Sequence, residues 1–253
     1  MSEFNLKNIK CMIFDLDGTI YFGSSLADKA NEVIQKARES YRHIFFVTNN
    51  SAKTRTQIFE KLKSLGINLT LDELYTTSYI IPKYLQLHNY KEIYCIGTDD
   101  LKAEIKNTGI NPNSKTPQAI VAGFNPDFKL HDLDELANIK LPKDCKLLIA
   151  NVEKSYPVDN GYLNAGAGPI VGALEYLLNK KYDVMIGKPN TTVISTVVDG
   201  LNIKSEEIAV IGDRYDSDVK MAKDYNAIPV LITKDKKNDC ICIEKLADLM
   251  EIM

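Results

Sequence analysis

At 253 residues, with 45% hydrophobic and 26% charged residues, the chain is long enough for one large domain or two modest ones and has a globular composition. A net charge of -3 without a long basic run argues against nucleic acid, and no segment approaches the length of a membrane span. The five cysteines are odd in number and include no Cys-x-x-Cys pair, so they read as free thiols of a reducing cytosol; with no apolar leader at the N-terminus, a cytoplasmic protein is expected.

Cys11-Met12-Ile13-Phe14 is a short apolar run that reads as a buried parallel strand, and it ends in Asp15-Leu16-Asp17-Gly18-Thr19. Residues i and i+2 of an extended segment face the same way, so Asp15 and Asp17 can share one pocket. Two acids buried together call for a cation or a shared proton. Ile20-Tyr21-Phe22-Gly23 is expected to be extended, and Leu26, Ala27, Ala30, Val33, Ile34 and Ala37 follow at helical spacing. His43 to Val47 reads as a second buried strand, ending in Thr48-Asn49-Asn50-Ser51; strand, helix and strand fit a parallel pair with a crossover helix. A helix with Ile58, Leu62 and Leu65 stops before Gly66, and Thr70-Leu71-Asp72-Glu73 has the capping-box pattern of another helix start.

From Tyr79 the alternation begins again. Strands are expected at Ile93 to Ile96, Ala119 to Ala122 and Lys146 to Ala150, a second α/β unit too long to be a loop. Asn164-Ala165-Gly166-Ala167-Gly168-Pro169 is read as a hinge or helix start in preference to a second phosphate loop. Tyr182 to Ile186 is extended and leads into Gly187-Lys188-Pro189. Ile208 to Ile211 is a buried strand followed by Gly212-Asp213-Arg214-Tyr215-Asp216-Ser217-Asp218, and Ile228 to Ile232 is a further strand. Singly, each polar cluster has a plainer reading: Thr48-Asn49, Asp213 and Asp218 as helix caps, Lys188 as a surface residue. Together, each after a strand of a presumed single parallel sheet, they point to one site on one sheet edge, where open α/β sheets bind ligands.

These four stretches, Asp15 to Thr19, Thr48 to Ser51, Gly187 to Pro189 and Gly212 to Val219, resemble the four motifs of the haloacid dehalogenase superfamily. The Thr-Asn-Asn-Ser and Gly-Lys-Pro forms are similar to its NagD-like, 4-nitrophenylphosphatase and pyridoxal-phosphatase branch, with a type-2 cap. Ala150-Asn151-Val152-Glu153 stands where that branch often has Thr-Asn-Pro-Asp. The resemblance implies a doubly wound parallel α/β core, residues 1–78 and 180–253, with an inserted α/β cap, residues 79–179, that closes over the site. It implies Mg²⁺-dependent hydrolysis of a small phosphomonoester, such as a sugar phosphate, nucleotide, pyridoxal phosphate or aryl phosphate. Asp15 is then the nucleophile that forms an aspartyl-phosphate, and Asp17 the general acid and base. Mg²⁺ is held by Asp15, the Asp17 main-chain carbonyl and Asp213, with Asp218 behind them. Gly18, Thr48, Asn49, Asn50 and Lys188 bind the phosphate or substrate. A homodimer through the cap is the family expectation. Phosphoryl transfer to another acceptor, or phosphate sensing without catalysis, are the alternatives; a dehalogenase suits two acids and a metal less well.

Overall fold

The computed structural model describes residues 6–41, 43–157 and 162–253. The chain divides into two compact units, one of Met1–Thr48, Phe59–Tyr75 and Lys188–Met253, the other of Asn49–Ile58 and Thr76–Gly187. The architecture is α/β with parallel-strand sheets.

The first unit is built on a six-stranded sheet with the order Ile241–Ile243, Ile228–Ile232, Ile208–Gly212, Cys11–Asp15, His43–Thr48 and Leu74–Thr76. Every residue of Cys11–Asp15 and of Ile208–Gly212 is buried, which is why these strands are unbroken apolar runs and do not alternate. Cys11–Asp15 runs parallel to both neighbours, with Phe14 opposite Phe46 and Ile211, so the strand ends carrying Asp15, Thr48 and Asp213 emerge together on one edge.

Three local expectations change. The first helix is Ala30–Ser40 and does not reach back to Leu26, because Tyr21–Phe22 pairs with Ser25–Leu26 in a small hairpin and Lys29 takes a left-handed φ of 56°. The capping-box residues at Thr70 make only the single turn Leu71–Glu73, although the Glu73 carboxylate accepts the Thr70 N–H at 2.7 Å. Glu73 is also held by Arg38, Nη2 to Oε2 at 2.9 Å, and the fully buried Leu74 turns the chain into an edge strand.

The third change concerns Lys188. The extended piece before it, Val184–Met185, pairs with Lys146–Ile149 in a second sheet. That four-stranded parallel sheet, in the order Val184–Met185, Lys146–Ile149, Ala119–Ala122 and Ile93–Ile96, is the frame of the second unit. Lys188 therefore follows a strand of the second unit's sheet and not one of the six that carry Asp15. Against the second sheet lies the helix Gly168–Leu178, with Ile170, Val171 and Leu174 buried among Ile120, Leu147 and Ile149. Gly166 and Gly168 donate their N–H groups to Lys154 O and Glu153 O, at 2.9 and 2.8 Å. A Cβ on Gly166 would stand 2.3 Å from Glu153 O, so the glycine-rich run is needed for close backbone approach at a helix start.

Residues 49–58, 76–78 and 180–187 fall in the second unit, outside the divisions at 78/79 and 179/180 expected from the sequence. Hydrogen bonds account for the first of these. Ser51 Oγ accepts the Phe124 N–H at 2.9 Å, and Thr98 Oγ1 donates to Ala52 O at 2.8 Å.

Candidate active site

The Leu16 carbonyl accepts the N–H groups of Thr19, Ile20 and Tyr21 at 3.2, 2.9 and 3.1 Å, which folds the chain back directly after Asp15. Gly18 makes this turn possible with φ +87°. The turn brings Thr19 Oγ1 to Asp15 Oδ2 at 3.2 Å and the Tyr21 hydroxyl to Asp17 Oδ2 at 2.8 Å. Thr48 Oγ1 points to the same Asp17 oxygen at 3.5 Å, a long contact. Asp15 is buried, whereas Asp17 is exposed.

Lys188 is the hub of the cluster. Its ammonium donates to Asp15 Oδ1 at 2.5 Å and to Asp218 Oδ1 at 2.6 Å. All three groups are nearly sealed from solvent, with 7, 5 and 1% exposure for Asp15, Lys188 and Asp218. Asp218 Oδ2 accepts the Arg214 N–H at 3.2 Å, so both of its oxygens are engaged within the protein. Burial opposes the charge on Lys188, but Asp15 and Asp218 outweigh it and hold the ammonium above its ordinary value. Burial pushes the Asp15 carboxyl well above the usual range, Lys188 pulling against it. Burial, and then Asp218 beside it, push Asp213 up to about 6.

The cluster fits a hard divalent cation. Oxygens of Asp15, Asp213 and Asp218 lie within 4.8 Å of one another, and three carboxylates face one ammonium. Asp213 Oδ1 is buried with no hydrogen-bond partner among the described residues, which is costly unless something else takes its lone pairs. An all-oxygen donor set of this charge suits Mg²⁺ or Ca²⁺. With Asp218 turned to Lys188 and Arg214, Asp15 and Asp213 are the side chains left to face a cation.

Two glycines are required by this packing. A Cβ on Gly18 would stand 2.3 Å from Asp213 Oδ2, and one on Gly212 would stand 2.2 Å from Asp218 Oδ2. Gly18→Ala must therefore displace Asp213 and adopt an unfavourable φ, with strain of about 1–3 kcal/mol. Titration calorimetry with Mg²⁺ should show affinity falling about tenfold or more.

The pH dependence follows from Asp213. Its folded-state value of about 6 lies above the unfolded reference, so the folded chain holds a proton that the unfolded chain has lost. This contribution to stability is complete below the unfolded value of about 4 and is lost as pH rises through about 6. The metal-free protein should lose stability across that window. Added Mg²⁺ should raise the melting temperature more at about pH 7.5 than at about pH 5, because protons compete for the same oxygens.

Among the residues expected from the sequence, Asp15, Asp17, Gly18, Thr48, Lys188, Asp213 and Asp218 belong to the first unit, and Asn49 and Asn50 to the second. Asn49 Nδ2 donates to Glu153 Oε1 at 3.0 Å, and Asn151 Nδ2 to Asn49 O at 3.2 Å. Asn50 Oδ1 accepts the N–H groups of Ala52 and Lys53 at 3.1 and 3.0 Å, a turn-forming use of that side chain. Sequence reasoning missed Thr19 and Tyr21 as partners of the two acids. Their signal was present: each lies four residues beyond the acid it touches, across a turn marked by Gly18. Burial, reinforced by Asp17, holds the Tyr21 phenol above its ordinary value, so it remains a donor, and the Lys61 ammonium sits 3.8 Å from its ring centroid.

Over residues 12–111 the chain matches the haloacid dehalogenase-like hydrolase family, and over 185–247 the HAD-hydrolase-like family. It is similar to glycerol-3-phosphate phosphatase of Rattus norvegicus, with 26% identity covering 95% of this chain and 87% of that protein. It is 29% identical to acid sugar phosphatase of Staphylococcus epidermidis, over 85% of this chain and 82% of that one. Among solved structures, the p-nitrophenyl phosphatase from Archaeoglobus fulgidus has the same fold, with a TM-score of 0.86, 23% identity and coverage of 97% and 99% of the two chains. Among the described residues, no helix is long and apolar enough to cross a membrane.

Proposed function

We propose that this chain, which matches the haloacid dehalogenase-like hydrolase family over residues 12–111 and the HAD-hydrolase-like family over 185–247, is a phosphatase of the NagD-like branch and hydrolyses small phosphomonoesters with Mg²⁺ through an aspartyl-phosphate on Asp15. It is a phosphoric monoester hydrolase that acts on small phosphate esters. The observation that carries the finer reading is the Asp15–Lys188–Asp218 triad beside an unpartnered Asp213 oxygen. It provides a nucleophile, a fixed cation and a place for a second one.

In this reading an Asp15 carboxylate oxygen attacks phosphorus, and the P–O bond to the leaving alcohol breaks. Asp17 donates its proton to the departing oxygen. Asp17 then takes a proton from water, which attacks the phosphorus of the aspartyl-phosphate, releases inorganic phosphate and restores Asp15. The Tyr21 hydroxyl holds Asp17 in place, so that the proton given to the leaving oxygen in the first half is regained from water in the second. Lys188 pulls the buried Asp15 carboxyl back toward its ionised form and adds a positive charge opposite the phosphoryl oxygens. Mg²⁺, held by the Asp15 and Asp213 carboxylates and the Asp17 main-chain carbonyl, would supply charge neutralisation for an anion attacking an anionic ester. In the same reading Gly18, in the turn after Asp15, and Thr48, at the end of its strand, bind the phosphoryl group.

We assign the substrate-selecting cap to the second unit and a dimer through it, as in the family pattern. The relatives' names set the substrate class to test, namely glycerol phosphates, sugar phosphates and aryl phosphates. The test is release of inorganic phosphate from these esters with Mg²⁺, with chelator, and with an added alcohol acceptor. Release with Mg²⁺ that stops with chelator is expected. Release that persists in chelator would refute the metal-dependent reading, and a phosphorylated alcohol as the main product would make the protein a transferase.

A further inference from the structure

We propose that Cys240 and Cys242 form a binding site for a soft, thiophilic cation, separate from the carboxylate cluster. Cys242 lies in the strand Ile241–Ile243 and Cys240 just before it, so i and i+2 place both thiols on one face. Their sulfur atoms are 3.7 Å apart, and both cysteines are free.

The spacing decides between two fates of such a pair. A disulfide requires sulfurs about 2.05 Å apart, so the two would have to approach by roughly 1.7 Å. Cys240 is packed against Val219 and Leu231, which resists that movement. Two thiolates on one tetrahedral centre, with metal–sulfur bonds of about 2.3 Å, stand about 3.8 Å apart. The observed separation is therefore that of two sulfurs already placed to share a cation, with no displacement of either chain segment.

An approach to the pair is open, while burial holds Cys240 in its thiol form, so a cation must displace that proton. The Lys237 N–H donates to Cys242 Sγ at 3.3 Å, and Cys242 is half-buried, which leaves an approach open. Cys240 is buried, and its thiol is pushed up to about 12, by burial first and by the adjacent sulfur second. Cation binding replaces both thiol protons: M²⁺ and two R–SH give M(SR)₂ and two H⁺, with no change of oxidation state. Sulfur donors select Zn²⁺, Cd²⁺ or Cu⁺ and disfavour Mg²⁺, so this pair and the all-oxygen cluster take different ions from a mixture.

The pair borders the turn that carries Asp218. The Asp239 carboxylate accepts the Tyr215 hydroxyl at 2.5 Å and the Lys223 ammonium, and Cys240 touches Val219, the residue after Asp218. A cation bound here would tie the loop before Ile241–Ile243 to the Tyr215–Val219 turn.

The test is a titration of Cd²⁺ into the reduced full-length chain in excess Mg²⁺, following the ultraviolet thiolate-to-cadmium charge-transfer band. Carboxylate-bound Cd²⁺ gives no such band, so the readout is blind to the carboxylate cluster and to the catalytic reading. The expected result is a band that saturates at one Cd²⁺ per chain and is lost in both Cys242→Ser and Cys240→Ser. Cys242→Ser should keep its Mg²⁺-dependent phosphate release. Because Cys240 is packed and its variant is at risk of unfolding, the half-buried Cys242 carries the decision. Absence of the band in the wild-type chain, a band that survives in Cys242→Ser, or a Cys240–Cys242 disulfide in protein kept under reductant would each overturn the proposal.

Discussion

Asp15→Asn is expected to abolish phosphate release, with a fall in kcat of at least about 10³-fold and little change in stability. An amide in place of the carboxylate keeps the shape of the side chain: its oxygen can still accept from Lys188, the partner of Oδ1 at 2.5 Å, and its NH2 takes the place of Oδ2, where the Thr19 hydroxyl at 3.2 Å can turn to accept. It loses the nucleophilic charge, and with it one hard ligand for the cation. The variant should melt near the wild-type temperature, because one buried negative charge is removed from a cluster of three acids and one base. Stopped-flow quench with radiolabelled substrate adds a direct check, since the wild-type chain should accumulate an acid-stable, hydroxylamine-sensitive phosphoprotein and the variant none. Full activity in Asp15→Asn would remove Asp15 from the nucleophile's role and leave the cluster as a cation site alone.

Lys188→Met is expected to be the most destabilising single change in the first unit, by about 3–5 kcal/mol at neutral pH in chelator, and also inactive. The magnitude comes from what is left behind: Asp15 and Asp218 stay buried with their common cation gone. An exposed helical pair such as Lys220–Asp224 is worth only about 0.3–0.5 kcal/mol, because water replaces the lost partner. Without the ammonium the Asp15 carboxyl, already raised by burial, is pushed further up. The folded variant then holds protons that the unfolded chain releases, and its deficit should shrink as pH falls from about 7.5 to about 5. Urea unfolding at both pH values measures this. A loss below about 1 kcal/mol at neutral pH would mean that the triad does not hold the fold together.

The charged residues of the cluster were legible from the sequence because charged residues at the ends of apolar runs are local facts. Burying Cys11 to Phe14 as a central strand leaves Asp15 at its end whatever else the chain does, and Ile208 to Ile211 does the same for Asp213. The turn chemistry of Gly18 was legible too, although its second reason, the approach of Asp213 to 2.3 Å from where a Cβ would stand, was not. That contact joins residues far apart in the chain. Lys188 shows the limit most clearly. The sequence marked it and the strand before it, but put that strand in the wrong sheet, since a two-residue extended piece such as Val184–Met185 carries no signal of which sheet it will join.

Another error has the same cause. The capping box at Thr70 promised a helix; the arrival of Arg38 at Glu73 and the burial of Leu74 made a turn and an edge strand. That the Asn50 side-chain oxygen accepts two backbone N–H groups nearby was likewise not legible. What the sequence determined by itself is the set of acids and the lysine, and the apolar runs that deliver most of them, because periodicity and composition act over a few residues. Which oxygen meets which donor, that Asp213 keeps one oxygen unpartnered, and that two cysteines stand at 3.7 Å were decided only by tertiary structure. Each of these depends on distances between segments whose separation along the chain carries no information about their separation in space.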